Sequence, residues 1–122
     1  MTLSVLAVDD SRTMRDMIKI ALTQAGFTST LAEDGEHGLE VLDDMTPPDV
    51  IITDINMPKL DGFGFIDAVR AQEKHRGIPI LVLTTESADT LKARARKAGA
   101  TGWIVKPFDP AKLVRALKMV AG

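Results

Sequence analysis

Three aspartates, a threonine and a lysine stand where apolar runs break off. Asp9 and Asp10 follow Leu3 to Val8, Asp54 follows Val50 to Thr53, Thr84 follows Ile80 to Leu83, and Lys106 follows Trp103 to Val105. If the first and third of these runs are neighbouring strands, Asp9, Asp10 and Asp54 crowd three carboxylates into one pocket. Like charges that close raise one another's pKa or require a cation. Magnesium answers that need, because it prefers oxygen ligands, keeps several waters and takes only a few protein carboxylates. Lys106 then offers a mobile positive charge for phosphoryl oxygens, and Thr84 a hydroxyl that can donate to one of them. Phosphoryl transfer asks a protein mainly for positioning and charge neutralisation, so what remains is a nucleophile. A carboxylate can take a phosphoryl group as an aspartyl phosphate. Asp54 fits that role better than Asp9 and Asp10, which are adjacent on one loop and suited to sharing a metal's inner and outer shells. Asn56 and Glu86 each lie two residues beyond a site residue, where they can influence the water that hydrolyses so reactive an anhydride.

An aspartate after a strand is, taken singly, most often a loop cap. The elements that position these residues change that reading. Val50, Ile51, Ile52 and Thr53 are all β-branched, with no polar partner among them, and predict a strand covered on both faces. Asn56-Met57-Pro58 and Asp61-Gly62 then force the chain out of the strand. Leu3 to Val8 predicts a buried strand, and a helix capped near Ser11 follows, with Met14, Met17, Ile18, Ala21, Leu22 and Ala25 inward and Gly26 closing it. Phe27 to Ala32 is a shorter, more polar run that suits a sheet edge. Gly35 to Met45 carries a weaker helical pattern ended by Pro47-Pro48, and Asp61 can cap a helix through Phe63, Ile66 and Val69. Ser87 to Ala98 predicts a helix with Leu91, Ala95 and Ala98 inward, stopped at Gly99. Asp109 and Pro110 form the cap and first turn of a last helix with Leu113, Ala116, Leu117 and Val120 inward. Five alternations of strand and helix imply an α/β fold, a parallel sheet with helices on both faces and right-handed crossovers. Ligands in such sheets sit beyond the carboxyl ends of the strands, where every flagged residue lies.

Composition narrows the classes further. At 122 residues one domain spanning 1–122 is expected, and a net charge of −2 gives no general pull towards nucleic acid or acidic membranes. The absence of cysteine excludes disulfides, thiolate catalysis and cysteine-ligated metals. No apolar run approaches the ~20 residues of a membrane span, and no charged-then-apolar leader precedes Leu3, so a cytoplasmic protein is expected.

Taken together, these residues resemble a response-regulator receiver domain over the whole chain. Asp9-Asp10 matches the acidic pair, Asp54 the phospho-acceptor, Thr84 the switch hydroxyl and Lys106-Pro107 the lysine with its following, usually cis, proline; the spacings from Asp54 to Thr84 and to Lys106 agree as well. The resemblance implies a flavodoxin-like doubly wound sheet of five parallel strands in the order 2-1-3-4-5, with five helices on its two faces. It implies one Mg2+ ion, for which Mn2+ can substitute, held by the Asp10 and Asp54 side chains and the Asn56 backbone carbonyl, with Asp9 acting through water. It also implies a histidine kinase as phosphodonor, a transient mark removed by self-dephosphorylation or by a phosphatase, and a signalling protein rather than an enzyme. Phosphorylation in this family draws the switch hydroxyl inward and lets an aromatic residue on the last strand turn. That position is Trp103, where tyrosine or phenylalanine is commoner; indole is larger and donates only through its ring nitrogen.

With the chain ending at Gly122, just past the fifth helix, no output domain is expected and the protein acts by docking its own surface, as a monomer. Among stand-alone receivers the chain resembles the chemotaxis regulators that bind the flagellar motor switch, with Asp54-Ile55-Asn56-Met57-Pro58 and Thr84-Thr85-Glu86 carrying that likeness. The partner surface expected is the fourth helix, fifth strand and fifth helix, including Lys92, Arg96, Trp103 and Lys118. Set against it, the cluster Lys92, Arg94, Arg96 and Lys97 also reads as an ordinary solvated helix face. A phosphate sink or phosphorelay intermediate would share all this chemistry. A flavin mononucleotide carrier would share the fold, but Asp9-Asp10 would repel its phosphate. A magnesium-dependent aspartyl-phosphate phosphatase would share the chemistry, but the Asp-x-Asp-x-Thr signature expected of such a family is absent at Asp54. His37 and His75 are expected at the surface, the six methionines on apolar helix faces, and Gly62-Phe63-Gly64 is only a fragment of a dinucleotide signature.

Overall fold

A computed structural model describes residues 2–121, so the expected limits at Met1 and Gly122 lie outside the described residues. The strands are β1 (Ser4–Val8), β2 (Thr28–Ala32), β3 (Val50–Thr53), β4 (Ile80–Thr84) and β5 (Gly102–Val105), and the helices α1 (Arg12–Gln24), α2 (Gly35–Asp44), α3 (Gly62–Ala71), α4 (Asp89–Ala98) and α5 (Pro110–Ala121), with a single 3-10 turn at Glu73–His75. All strand pairs are parallel and the order is β2-β1-β3-β4-β5. Strand order therefore reverses between β1 and β3, which brings the ends of those two strands side by side.

Side chains alternate across the sheet and feed two cores. Leu6, Val8, Ile51, Ile80 and Val82 pack with Leu42, Phe65, Ile66, Val69 and Ala95 from α2, α3 and α4. Val5, Ala7, Val50, Ile52, Leu81 and Leu83 pack with Ile18, Leu22, Leu113 and Leu117 from α1 and α5. β3 and β4 are buried at every residue, as a strand covered on both faces must be, and each large side chain so buried contributes about 1.5–3 kcal/mol.

Local chemistry sets the helix limits. Ser11, Asp34 and Asp61 each accept a hydrogen bond from the backbone of the first turn that follows, at 3.2, 2.8 and 2.8 Å. Gly26 lies just past α1 at φ +82°, as expected of a left-handed closure. α4 starts at Asp89 rather than Ser87, with Ala88 extended at the cap position and making no side-chain cap.

Four side chains lie otherwise than expected. His75, expected at the surface, is 1% exposed in the 3-10 turn, with Nδ1 lacking a hydrogen-bond partner, and His37 is half-buried with its Nδ1 accepting from the Glu33 amide at 3.1 Å. Met17, expected inward, and Met119, expected on an apolar helix face, are exposed. Burial pushes the His75 imidazole below its ordinary value, helped by the nearby Lys74 charge and opposed by Asp43. The unfolded chain then binds the proton more readily than the folded one, so the stability this residue contributes is present above about pH 6.5 and is lost as pH falls towards its folded value. Denaturant unfolding at pH 7.5 and pH 5.0 should show a loss in the wild type that His75→Gln reduces; an equal loss in both would refute this.

Candidate functional site

The backbone ladder continues one residue past each strand and thereby fixes the site. Asp9 donates its amide to the Ala32 carbonyl at 3.1 Å, Asp54 to Val8 at 3.0 Å and Lys106 to Thr84 at 2.7 Å. Three side chains from β1, β3 and β5 are thus aimed into one pocket by hydrogen bonds that belong to the sheet. The loop after Asp54 folds tightly against it: the Gly62 amide donates to the Ile55 carbonyl at 2.8 Å, and a Cβ on Gly62 would run into the Asp54 carbonyl oxygen. Only glycine fits there.

The Lys106 ammonium donates to Asp9 Oδ2 and to Asp54 Oδ2, both at 2.7 Å. The other oxygens accept from backbone amides, Asp9 Oδ1 from Ser11 at 2.9 Å and Asp54 Oδ1 from Ile55 at 2.6 Å. Asp10 is exposed, and carboxylate oxygens of Asp9, Asp10 and Asp54 lie within 4.8 Å of one another. Three carboxylates and one ammonium leave two negative charges, the charge one divalent cation brings. These are hard oxygen donors gathered round one point, and their chemistry fits magnesium.

Burial shapes the electrostatics of the group. It pushes the Asp9 carboxyl up; the bonds from Lys106 and the Ser11 amide and the Lys106 charge pull it back, while Asp54 adds to the rise. Burial alone would lower Lys106, but hydrogen bonds to Asp54 and Asp9 and the charges of both outweigh it and hold the ammonium above its ordinary value. One positive charge shared among several acids stays firmly protonated, and Asp9, the most buried acid, is left under-compensated.

Thr84, Asn56 and Trp103 all meet Glu86, while Lys118 lies apart from them. Thr84 is fully buried at the end of β4, its hydroxyl 3.4 Å from the Glu86 amide. Asn56 and Glu86 are joined, the Asn56 amide donating to Glu86 Oε1 at 2.9 Å. Trp103 is half-buried and its indole N–H donates to the Glu86 carbonyl at 3.0 Å. Lys92, Arg96 and Trp103 line one shallow recess between α4 and β5, whereas Lys118 lines a separate one between α1 and α5. The Lys106–Pro107 peptide is cis. Sequence reasoning missed Arg15, whose guanidinium donates to the Asp9 carbonyl at 2.8 Å and braces the acidic loop from α1. Its place on the helix face marked it only as polar.

Residues 5–118 match the response regulator receiver domain. A chemotaxis protein CheY homolog of Campylobacter jejuni is 42% identical over 98% of this chain and 93% of its own length. The structure of chemotaxis protein CheY4 of Vibrio cholerae superposes with a TM-score of 0.93 at 43% identity, covering 98% of this chain and 99% of that one. The receiver domain of a Pseudomonas aeruginosa sensor histidine kinase, solved with a magnesium ion coordinated in its active-site cleft, superposes with a TM-score of 0.91 at 30% identity, covering 100% of this chain and 99% of that one.

Proposed function

The chain belongs to the response regulator receiver family, and on that premise we propose that it accepts a phosphoryl group on Asp54 from a histidine kinase and signals by changing its α4-β5-α5 surface. Receivers like CheY are phospho-accepting parts of two-component signalling. The observation that carries it is the Lys106 ammonium 2.7 Å from both Asp9 and Asp54, with Asp10 completing the oxygen cluster.

Asp10, Asp54 and the Asn56 carbonyl would hold Mg2+, with Asp9 acting through water. The ion supplies positive charge that neutralises phosphoryl oxygens beside the acceptor. Asp54 offers Oδ2 as nucleophile; its other oxygen is tied to the Ile55 amide, which fixes the carboxylate plane. Lys106 neutralises charge from the opposite side, and Thr84 turns its hydroxyl towards the new group. That movement pulls on the loop from Thr85 to Ala88, to which Trp103 is bonded. The unit is read as one receiver domain of 1–122, monomeric and cytoplasmic, whose output partner is the flagellar motor switch and whose surface includes Lys92, Arg96, Trp103 and Lys118. Charge reversal at Lys92 and Arg96 should weaken partner binding, and unchanged affinity would remove that surface from the account.

The test is to add Mg2+ with a small phosphodonor or beryllofluoride and follow intact mass and Trp103 fluorescence. One phosphoryl group and a fluorescence change are expected; an unlabelled wild type would refute the proposal. Pull-down with and without beryllofluoride then identifies the partner. Asn56 and Glu86, joined by a hydrogen bond, are read as restricting water at Asp54, so Glu86→Ala should shorten the life of the phosphorylated state several-fold while leaving final labelling at saturating donor intact. A lifetime equal to wild type would show that this pair does not restrict water.

A further inference from the structure

α4 is held very unevenly along its length. Ala95 is its only fully buried residue, the least of the five helices, so its packing gives it little purchase on the sheet. At its carboxyl end the hold is strong. The Arg70 guanidinium, reaching from the last turn of α3, donates to the Gly99 carbonyl through Nε at 3.2 Å and Nη2 at 2.8 Å, while its Nη1 donates to the Arg76 carbonyl at 2.9 Å. Gly99 closes α4 at φ +116°, and a Cβ there would meet the Arg70 side chain at 2.8 Å, so the cap and the guanidinium are fitted to each other. Two residues later Thr101 donates its amide to the Ile80 carbonyl at 2.7 Å and accepts from the Ile80 amide at 3.2 Å, fastening the exit from α4 to β4. A charged, two-pronged bond to a helix carboxyl terminus is also favoured by the helix dipole.

Midway, Arg94 lies over the Phe63 ring at 4.0 Å, a contact that an exposed side chain can slide out of. At the amino end the hold is the half-buried Leu91 against the core and little else. Ala88 makes no side-chain cap, residues 87–90 are all exposed, and the preceding loop is tied down only through Glu86, whose carboxylate takes the Asn56 amide and whose carbonyl takes the Trp103 indole. A missing cap costs a helix start about 1 kcal/mol. Segments with few buried contacts and weak ends are those that open first.

We propose that α4 moves as a lever with Arg70 as its fulcrum: the Arg70–Gly99 clamp fixes the carboxyl end, and the Glu86 junction is the latch at the free end. This rests on the reading of Asp54 as phospho-acceptor and adds where the motion is anchored. Asn56 sits beside the acceptor and Trp103 on the output surface, so displacement of Glu86 is felt at both, and a fixed far end converts it into rotation of α4 and not drift of the whole helix. Arg70 is therefore a positioning residue about a helix length from the chemistry.

The experiment compares wild type, Arg70→Met and Arg70→Lys with and without Mg2+ and beryllofluoride, reading amide hydrogen exchange and Trp103 fluorescence. In wild type, beryllofluoride should change exchange in residues 86–92 while 96–101 stay protected. In Arg70→Met, 96–101 should lose protection and the Trp103 amplitude at saturation should fall by about half or more, with beryllofluoride affinity within about twofold of wild type. Arg70→Lys, keeping one charged donor, should recover part of the amplitude and stands in should the methionine variant not fold. Wild-type amplitude in both variants, or a change spread evenly along α4 in the wild type, overturns the lever alone. A wild type silent to beryllofluoride overturns it together with the acceptor reading.

Discussion

Asp54→Asn is expected to lose phosphorylation by roughly 10³-fold or more while remaining folded. The amide keeps the size of the carboxylate and can accept from the Ile55 amide, but it has no anionic oxygen to attack phosphorus. It also removes one of three crowded negative charges, so thermal stability without divalent cation should stay level or rise by about 1 kcal/mol. The combination distinguishes lost chemistry from lost structure. Mass spectrometry after treatment with a small phosphodonor and Mg2+ reads the first, and denaturant unfolding the second. Labelling that persists undiminished in Asp54→Asn would reassign the acceptor.

The second large effect is at Lys106. Its side chain is 8% exposed, those of Asp9 and Asp54 2% and 10%, and it is the only cation bonded to either carboxylate among the described residues. Lys106→Met fills the same space with an apolar stem and leaves two buried acids facing each other. Breaking a buried pair from one side costs about 3 kcal/mol, because the remaining charge loses its compensation. Unfolding in chelator should therefore show a loss of that order, and saturating Mg2+ should restore more stability to the variant than it adds to the wild type. A variant as stable as wild type in chelator would mean that the ammonium is a bystander in the resting pocket.

The sequence was most readable where one residue's chemistry is decided by its own strand. Val50 to Thr53 is β-branched throughout and became a fully buried central strand, and the polar residue ending each apolar run came to lie at the carboxyl edge of the sheet. The acids and the lysine were legible for the same reason: nothing else in a buried run tolerates them. Features that depend on a second element were harder. His75 was expected at the surface because it lies at no strand's carboxyl end and shares no metal-ligand spacing with His37, yet the 3-10 turn folds it inward. Met17 was placed on the inner face by helical phase, yet Ile18, Ala21 and Leu22 take the core and Met17 is exposed, so phase alone misplaced it. The Asn56–Glu86 bond, the Arg15 brace and the Arg70 clamp join residues that no periodicity connects; long polar side chains carry no local signal of the carbonyl they will find.

What everything else depends on is that the acids at the ends of β1 and β3 form one divalent-cation site beside Lys106. Calorimetric titration with Mg2+ tests this most directly, on wild type, Asp10→Asn and Asp54→Asn. One ion per chain should bind the wild type, with affinity weakened about tenfold or more in each variant as a negative oxygen ligand is lost. Binding of unchanged strength in both variants, or no binding to the wild type, would contradict it.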